Sequence, residues 1–285
     1  MILIADSGST KTSWVLADGN KAIQHIETSG YNPYYYKDEG LFNTLKKELT
    51  PQLISSNIKK ISFYGSGCSS EANCTMVKSA LSQLFSKCFI EVNHDLYGAA
   101  LALLHNNRGI ACILGTGSNS CYWDGNMVVN NVPSVGYLLG DEGSGTYIGK
   151  LILKGILEEK APLEIRNAFY LQHNITFEGV LNIIYNETHP NRFISKVSIF
   201  AEKNINNKWV RNTVKQSFID FIDNQIKQYN GYQNMEVSFT GSVAHYYKKI
   251  LLETCEEYDI KTGIILKDPI GGLFKYHTNK LSSNY

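Results

Sequence analysis

The chain opens with an apolar run, a polar interruption and a second apolar run. Residues 1–5 are all hydrophobic, residues 6–12 combine a glycine with acidic, hydroxyl and basic side chains, and residues 13–16 are again mainly apolar. Short apolar runs bounded by turn residues are typical of buried strands. The pattern therefore predicts two strands joined by a polar loop, followed by a turn at Asp18-Gly19.

A similar pattern returns in the middle of the chain. Residues 111–114 predict a strand, residues 115–119 a polar loop and residues 121–123 a second strand, and Asp124-Gly125 follows as a turn.

Aligning the two predicted hairpins places Gly8 opposite Gly117 and Trp14 opposite Trp123. This match indicates an internal duplication of a strand, loop and strand unit. Because only two short segments match, chance similarity is left open as the alternative.

A helix and a strand-to-helix junction are predicted between the hairpins. Residues 71–88 have the apolar spacing of a helix, residues 89–92 predict a strand, and residues 97–104 predict an alanine-rich helix. Asp95 lies in the polar stretch between that strand and helix, where it can cap the helix. Junctions of this kind are where α/β proteins hold their ligands.

The remainder of the chain is predicted to be mainly helical. Further helices are predicted at residues 147–157, 177–186, 210–229 and 245–255, strands at 236–239 and 262–266, and a short terminal helix after Pro269. We expect two domains, residues 1–108 and residues 109–267, with a C-terminal helix from about residue 268 to 285 that packs back on the first.

Composition restricts the class of function. Of 285 residues, 43% are apolar and 19% are charged, as in ordinary globular proteins. A net charge of +1 with scattered basic residues argues against nucleic-acid binding. No apolar run is long enough for a signal peptide or a membrane span. We therefore expect a cytoplasmic protein.

Three loops combine glycine with hydroxyl side chains, and each follows a predicted strand: residues 6–12, 115–119 and 240–243. Glycine lets the backbone approach a ligand closely, while serine and threonine add donors for phosphate oxygens. Neither a GxxxxGK[ST] loop nor a GxGxxG after the first strand is present. The sequence predicts a phosphate site of another kind, interleaved with three acidic residues: Asp6, Asp95 and Asp141.

Four motifs make this prediction specific: Asp6-Ser7-Gly8-Ser9-Thr10-Lys11-Thr12, Gly115-Thr116-Gly117-Ser118-Asn119, Gly140-Asp141-Glu142-Gly143-Ser144-Gly145 and Thr240-Gly241-Ser242. They resemble, in order and spacing, the phosphate and sugar motifs of N-acetylglucosamine kinases, in the family that also holds BadF/BadG/BcrA/BcrD-type ATPases. The resemblance covers nearly the whole chain. It implies an α/β protein with a duplicated ribonuclease-H-like, actin-like ATPase fold, in which two lobes hold ATP in a central cleft.

The resemblance also implies roles for individual residues. Asp6 resembles the carboxylate that holds Mg²⁺, and Asp95 resembles the general base. The implied nucleotide-binding residues are Ser9, Thr10, Lys11, Gly115, Thr116, Gly117, Gly241 and Ser242. The implied substrate-binding residues are Asn32, Asp95, Ser118, Asn119, Gly136 and Asp141. A metal, a cradle of donors and an aligned base are what phosphoryl transfer requires.

Structural roles are alternatives for several of these residues. Asp6 can cap a turn, Asp95 can cap a helix, and Asn32, in an Asn-Pro pair, can serve a turn. Lys11 can be solvated. His94 is expected to point away from Asp95, because adjacent residues after a strand usually face opposite sides.

The second half of the chain leaves similar alternatives. Asp141 and Glu142 can cap the helix that begins near Tyr147, although we favour a sugar hydroxyl as the partner of Asp141. Residues 34–36 are tyrosines that can stack on a sugar or pack on the surface. Residues 133–137 stand where the family commonly has a stretch containing glycine and tryptophan, which leaves the identity of the sugar open.

The leading expectation is ATP-dependent phosphorylation of N-acetylglucosamine. Glucosamine and N-acetylmuramic acid are alternative substrates, and an ATPase activator of the BadF/BcrA type is an alternative function. The activator needs cysteines placed together around an iron–sulfur cluster, an arrangement that the six cysteines do not show. A sugar-sensing regulator usually adds a DNA-binding segment, for which no room is expected before the first strand. The expected partner is a small sugar, with neither nucleic acid nor membrane, and a homodimer is left open.

Overall fold

A computed structural model describes residues 1–33, 38–54 and 57–282. The tyrosines at positions 34–36 lie outside the described residues. The chain divides into two compact units. Unit 1 contains Met1–Ala111, Trp123–Val129 and the chain from Asp268 onward, and unit 2 contains Cys112–Tyr122 and Asn130–Lys267.

Ten strands form two five-stranded sheets in the described part of the chain. The strands are β1 (Ile2–Ser7), β2 (Lys11–Asp18), β3 (Lys21–Ser29), β4 (Lys60–Gly65), β5 (Phe89–His94), β6 (Gly109–Leu114), β7 (Ser118–Trp123), β8 (Val128–Asn131), β9 (Val237–Thr240) and β10 (Thr262–Leu266). The α-helices of the same residues are α1 (Asp38–Thr44), α2 (Glu71–Leu84), α3 (Asp95–Leu104), α4 (Gly136–Leu139), α5 (Gly145–Leu157), α6 (Leu163–His173), α7 (Phe177–Asn186), α8 (Pro190–Lys203), α9 (Lys208–Asn224), α10 (Ser242–Tyr246), α11 (Lys248–Glu257) and α12 (Ile270–Ser282). These elements confirm the predicted α/β class.

The first sheet has the strand order β3-β2-β1-β4-β5. β2 is antiparallel to β1 and β3, whereas β4 is parallel to β1 and β5. The parallel register pairs Asp6 with Tyr64 and Tyr64 with Asn93. The carboxyl ends of three strands therefore meet at one edge of the sheet, where Asp95 follows β5 directly. This is the edge at which open α/β sheets hold ligands.

Apolar residues of unit 1 pack on both faces of this sheet. Leu3 and Phe63, on β1 and β4, are buried in one cluster with Val77 and Leu81 of α2. α3 and α12 pack against each other and against β1. Because helices cover both faces of these strands, the strands need continuous hydrophobic runs rather than alternating apolar and polar residues.

The second sheet repeats the order of the first. Its strands lie in the order β8-β7-β6-β9-β10, and β9 and β10 are parallel. Taken in chain order, β6 to β10 occupy the same relative positions as β1 to β5. The repeated topology confirms the predicted duplicated architecture.

The structure corrects the alignment of the two hairpins. Each turn occupies three residues between its strands, 8–10 in the first hairpin and 115–117 in the second. Gly8 therefore corresponds to Gly115 rather than to Gly117. The offset of two residues arises because the matched tryptophans lie at different places in their strands: Trp14 is the fourth residue of β2, whereas Trp123 is the sixth of β7.

The longest helix also differs from its prediction. α9 ends at Asn224 instead of continuing to Tyr229, and a 3-10 turn follows at Ile226–Gln228. The Tyr229 hydroxyl forms hydrogen bonds with Ser120 Oγ at 2.8 Å and with the Val132 N–H at 3.2 Å. These tertiary contacts hold the ring inside unit 2 and override the helical pattern of the sequence.

Within residues 1–33, 38–54 and 57–282, no helix combines the length and the apolar character needed to cross a membrane.

Candidate functional site

The loop between β1 and β2 is a tight turn, and the backbone of Gly30 packs directly against it. The Gly8 N–H donates to the Lys11 carbonyl at 2.9 Å, and the Gly30 N–H donates to the Thr10 carbonyl at 3.0 Å. A Cβ at position 30 would lie 2.4 Å from the Gly8 carbonyl oxygen, so only glycine fits there. The Lys11 ammonium is directed to Glu27 at 2.5 Å in an exposed ion pair.

Carboxylates accumulate beside this loop, at the end of β1. Burial is the main cause that raises the pKa of Asp6 to about 8, and the negative charges of Asp95 and Asp268 contribute to the rise. The Lys11 ammonium opposes it. The sequence analysis does not single out Asp268. Like Asp95, it lies just after a strand, and this position could have identified it as a candidate. A cation bound among these groups would relieve their mutual repulsion.

Asp95 is the first residue of α3, and His94 is the N-cap of that helix. The Leu96 N–H donates to Asp95 Oδ1 at 2.8 Å, and its nitrogen is 3.1 Å from His94 Nδ1. His94 Nδ1 also lies 3.1 Å from Asp95 Oδ1, so the expectation that the two side chains diverge is wrong. The chain turns into a helix between them, and strand alternation no longer applies. The Asp95 carboxylate is thereby oriented by the start of the helix.

Asn32 and Ser9 border the loop that follows β4. A Cβ on Gly67, whose φ is +78°, would lie 2.4 Å from Asn32 Oδ1. Ser9 Oγ and Ser66 Oγ are 3.5 Å apart. Unit 1 therefore brings these two predicted residues to the same sheet edge as Asp6 and directs Lys11 into an ion pair instead.

The loop between β6 and β7 is held by the beginning of α5. The Gly145 N–H donates to the Gly115 carbonyl at 2.8 Å, and the Thr146 N–H and hydroxyl donate to the Thr116 carbonyl at 3.1 and 2.5 Å. Within the turn, the Gly115 N–H donates to the Gly117 carbonyl at 2.9 Å. The three carbonyls of the turn are satisfied inside unit 2. Backbone N–H groups of such turns are a common means of binding anions.

Gly241 packs on the same loop. Its φ is +122°, and a Cβ would lie 2.2 Å from the Leu114 carbonyl oxygen. Its N–H donates to the Leu266 carbonyl at 3.1 Å, and Ser242 begins α10. Beside it, the buried hydroxyl of Thr240 has no hydrogen-bond partner among the described residues. This hydroxyl can serve water or a ligand, since buried polar groups are normally satisfied.

Asp141 lies against the other side of the loop, with a left-handed φ of +63°. A Cβ on Gly117 would be 2.9 Å from its Oδ2, and its Oδ1 is 3.4 Å from the Ser118 nitrogen. Desolvation raises the pKa of Asp141, while the Ser118 N–H and the Lys150 ammonium oppose the rise. The N-cap of α5 is Ser144, so the helix-capping alternative for Asp141 is wrong.

Asn119, the second residue of β7, has its carbonyl oxygen engaged. Oδ1 accepts from the Ser120 N–H at 2.9 Å and from Asn131 Nδ2 at 3.0 Å. Ser118 beside it is buried. Gly136 has a φ of +74°, and a Cβ there would meet no atom within 4 Å, so this position borders open space. Asn131 is a further residue that the sequence analysis does not single out.

The carboxylates of unit 1 are suitable ligands for Mg²⁺. This ion keeps several waters and is usually held by one or two carboxylates together with substrate phosphates. Among the described residues, no group of three or more histidine, cysteine and acidic side chains forms a closed metal site. Asp6 instead supplies a partly buried carboxylate, which neighbouring carboxylates repel. A bound cation would relieve this repulsion.

No protein-family model matches the chain. A curated N-acetyl-D-glucosamine kinase from Dictyostelium discoideum is 28% identical over 173 residues, which make up 54% of this chain and 53% of that protein. The chain thus matches about half the length of this curated relative.

Two solved structures are similar to almost the whole chain. A provisionally named N-acetylglucosamine kinase from Porphyromonas gingivalis is 38% identical, with a TM-score of 0.95 over 98% of this chain and 99% of that one. Another, from Chromobacterium violaceum, has a TM-score of 0.72 over 96% of this chain and 98% of that one. At 15% identity, the second likeness concerns the fold alone.

Proposed function

The chain belongs to the N-acetylglucosamine kinase family, and on this premise we propose that it transfers the γ-phosphoryl group of ATP to a hydroxyl of N-acetylglucosamine. The observation that carries the proposal is the repeated hairpin, because each unit has a constrained glycine loop at the end of its central strand. Unit 1 adds the carboxylates of Asp6 and Asp95 beside its loop. Positioned donors and carboxylates are the groups that phosphoryl transfer uses.

Asp95 is the general base in this proposal. The sugar hydroxyl oxygen forms a bond to the γ-phosphorus, the bond from that phosphorus to its bridging oxygen breaks, and ADP leaves. The hydroxyl proton passes to the Asp95 carboxylate. The Leu96 N–H, 2.8 Å from Asp95 Oδ1, holds the carboxylate in one orientation for this transfer.

Asp6 would hold Mg²⁺, which when bound neutralises charge on the phosphate oxygens. The loop residues would contact the nucleotide: Ser9 and Thr10 in unit 1, with only a minor contribution from Lys11, whose ammonium pairs with Glu27, and Gly115, Thr116, Gly117, Gly241 and Ser242 in unit 2. Their role is to bind and orient the phosphates through donors, which is most of the catalytic task in this reaction.

The sugar would contact the remaining predicted residues: Asn32 in unit 1, and Ser118, Asn119, Gly136 and Asp141 in unit 2. The Asp141 carboxylate suits a sugar hydroxyl as a partner, because a carboxylate accepts hydrogen bonds that hydroxyls donate. The open space at Gly136 suits the approach of a ligand to the backbone.

The purified protein, incubated with ATP, Mg²⁺ and one sugar at a time, tests the proposal. We expect ADP release together with a product heavier by one phosphoryl group when the sugar is N-acetylglucosamine. Glucosamine and N-acetylmuramic acid should react more slowly. Product with one of these sugars alone would reassign the substrate, whereas the absence of any phosphorylated sugar would contradict the kinase activity.

A further inference from the structure

Two asparagine side chains of unit 2 are linked to each other and to the backbone of β7. Asn131 Nδ2 lies 2.7 Å from the Ser120 carbonyl oxygen and 3.0 Å from Asn119 Oδ1. The Ser120 nitrogen lies 2.9 Å from the same Asn119 Oδ1. Asn119 Oδ1 therefore accepts two hydrogen bonds, and Asn131 Nδ2 donates two.

The backbone determines which way both amides face. Oxygen and nitrogen of an asparagine amide are normally assigned from their hydrogen-bond partners. A backbone carbonyl only accepts, so the Asn131 atom beside the Ser120 carbonyl must be the nitrogen. A backbone N–H only donates, so the Asn119 atom beside the Ser120 N–H must be the oxygen. Each assignment independently supports the hydrogen bond between the two side chains.

In this orientation, the Asn119 side chain can offer a ligand only hydrogen-bond donors. With Oδ1 engaged by Ser120 and Asn131, the opposite end of the planar amide is Nδ2, which carries two hydrogens and accepts nothing. A substrate oxygen can accept from these hydrogens. An ammonium group has donors only, so it cannot pair with them.

We propose that Asn131 is a positioning residue that holds Asn119 in its donor-only orientation, and that this orientation makes the site select a sugar bearing an uncharged oxygen acceptor over one bearing an ammonium group. The inference rests on the proposed function, in which Asn119 contacts the sugar. It adds a reason for the N-acetylated sugar, whose acetamido group offers a carbonyl oxygen, to be preferred over the free amine.

The chain around Asn131 is anchored well enough for this role. The next residue, Val132, donates its N–H to the Tyr229 hydroxyl at 3.2 Å. Tyr229 OH is 2.8 Å from Ser120 Oγ, which also donates to Gln225 Oε1 at 2.9 Å. The backbone that carries Asn131 and the backbone that it contacts are thus tied to the same buried tyrosine, although the Asn131 side chain is exposed.

Steady-state kinetics of Asn131→Ala and Asn131→Asp with N-acetylglucosamine and glucosamine tests the proposal. Asn131→Ala removes one of two groups that hold Asn119, so KM for N-acetylglucosamine should rise about tenfold while kcat stays within about twofold. In Asn131→Asp, the introduced carboxylate has no donor for Asn119 Oδ1. The ratio of kcat/KM for N-acetylglucosamine to that for glucosamine should then fall about tenfold.

Asn130, the exposed neighbour, supplies matched controls. Asn130→Ala should leave KM unchanged, and Asn130→Asp, which adds the same charge one residue away, should leave the selectivity ratio within about twofold. Unchanged KM in Asn131→Ala, or an equal loss of selectivity in Asn130→Asp, would overturn the inference while wild-type turnover leaves the proposed function intact. A wild-type protein that phosphorylates no sugar would overturn both.

Discussion

The two units hold equivalent glycine loops by different means. In unit 1, the backbone of Gly30 packs directly against the loop, and the groups beside the loop are carboxylates. The pKa of Asp6 is raised mainly by burial and further by the charges of Asp95 and Asp268. In unit 2, the N-terminal N–H groups of α5 hold the loop. The adjoining side chains there include the Asn119 amide and Asp141.

This difference shows how one duplicated hairpin can serve two tasks. Accumulated negative charge suits a metal ion and a proton acceptor, whereas an oriented amide and one carboxylate suit the hydroxyl and carbonyl groups of a neutral sugar. In our account, unit 1 supplies the groups for the chemistry and unit 2 supplies much of the sugar recognition. Variants on the two sides should therefore fail in different ways.

The largest effect is expected from Asp95→Asn in unit 1. The amide keeps the shape of the side chain but cannot take a proton, so kcat should fall by about 10²–10⁴ while ATP affinity changes little. Steady-state kinetics and calorimetry measure the two quantities. Asp18→Asn, at the exposed end of β2, is the matched control and should retain full activity. A kcat near the wild-type value in Asp95→Asn would remove the assignment of the base to unit 1.

Gly241→Ala should have the next largest effect, and it acts on the loop of unit 2. The added Cβ would lie 2.2 Å from the Leu114 carbonyl oxygen, so the loop must shift, and ATP should bind at least about tenfold more weakly. Thermal unfolding should also occur at a lower temperature.

Gly231→Ala separates loop displacement from backbone strain. Gly231 also has a positive φ, +76°, but a Cβ there would meet no atom within 4 Å. We expect a loss of about 1–2 kcal/mol in stability with unchanged nucleotide affinity. Equal loss of ATP affinity in both variants would mean that Gly241 acts through general destabilisation rather than through the loop.

The smallest effect is expected from Lys11→Ala. Lys11 forms an ion pair with Glu27 in which the two side chains are 51% and 68% exposed, so its loss should change the free energy of unfolding by less than about 1 kcal/mol. KM for ATP should rise by less than about fivefold. Glu27→Gln releases the same ammonium and serves as the comparison. A hundredfold rise of KM in Lys11→Ala would show that Lys11 leaves Glu27 to bind phosphate.

Local patterns were sufficient to predict most of the strands and the α/β class. The run Ile2–Ser7 and its counterpart Gly109–Leu114 are buried central strands because they are apolar and end in polar glycine loops. Asp6 and Asp95 could be singled out for the same local reason, since each lies where a strand ends. The family resemblance that the motifs carry then implied the duplicated fold.

Features that depend on contacts distant in sequence were missed. The helix predicted at residues 245–255 is interrupted at Tyr247, whose hydroxyl donates to the Ser198 carbonyl. Asp268 approaches Asp6 from the other end of the chain. Asn131 acquires its role only where β7 and β8 are brought together. α8 (Pro190–Lys203) was also missed, but for a different reason. Its apolar residues have helical spacing, so the signal for this helix was present in the sequence.

The sugar dependence of ATP consumption tests the central claim most directly. Rates of ADP formation are measured with Mg²⁺, with and without saturating N-acetylglucosamine, on the same protein preparation. If the enzyme passes phosphate to sugar rather than to water, ADP formation without sugar should be at least about a hundredfold slower, and each ADP formed with sugar should match one sugar phosphate. Equal rates in the presence and absence of every sugar tested would contradict the kinase and favour an ATP-driven activator.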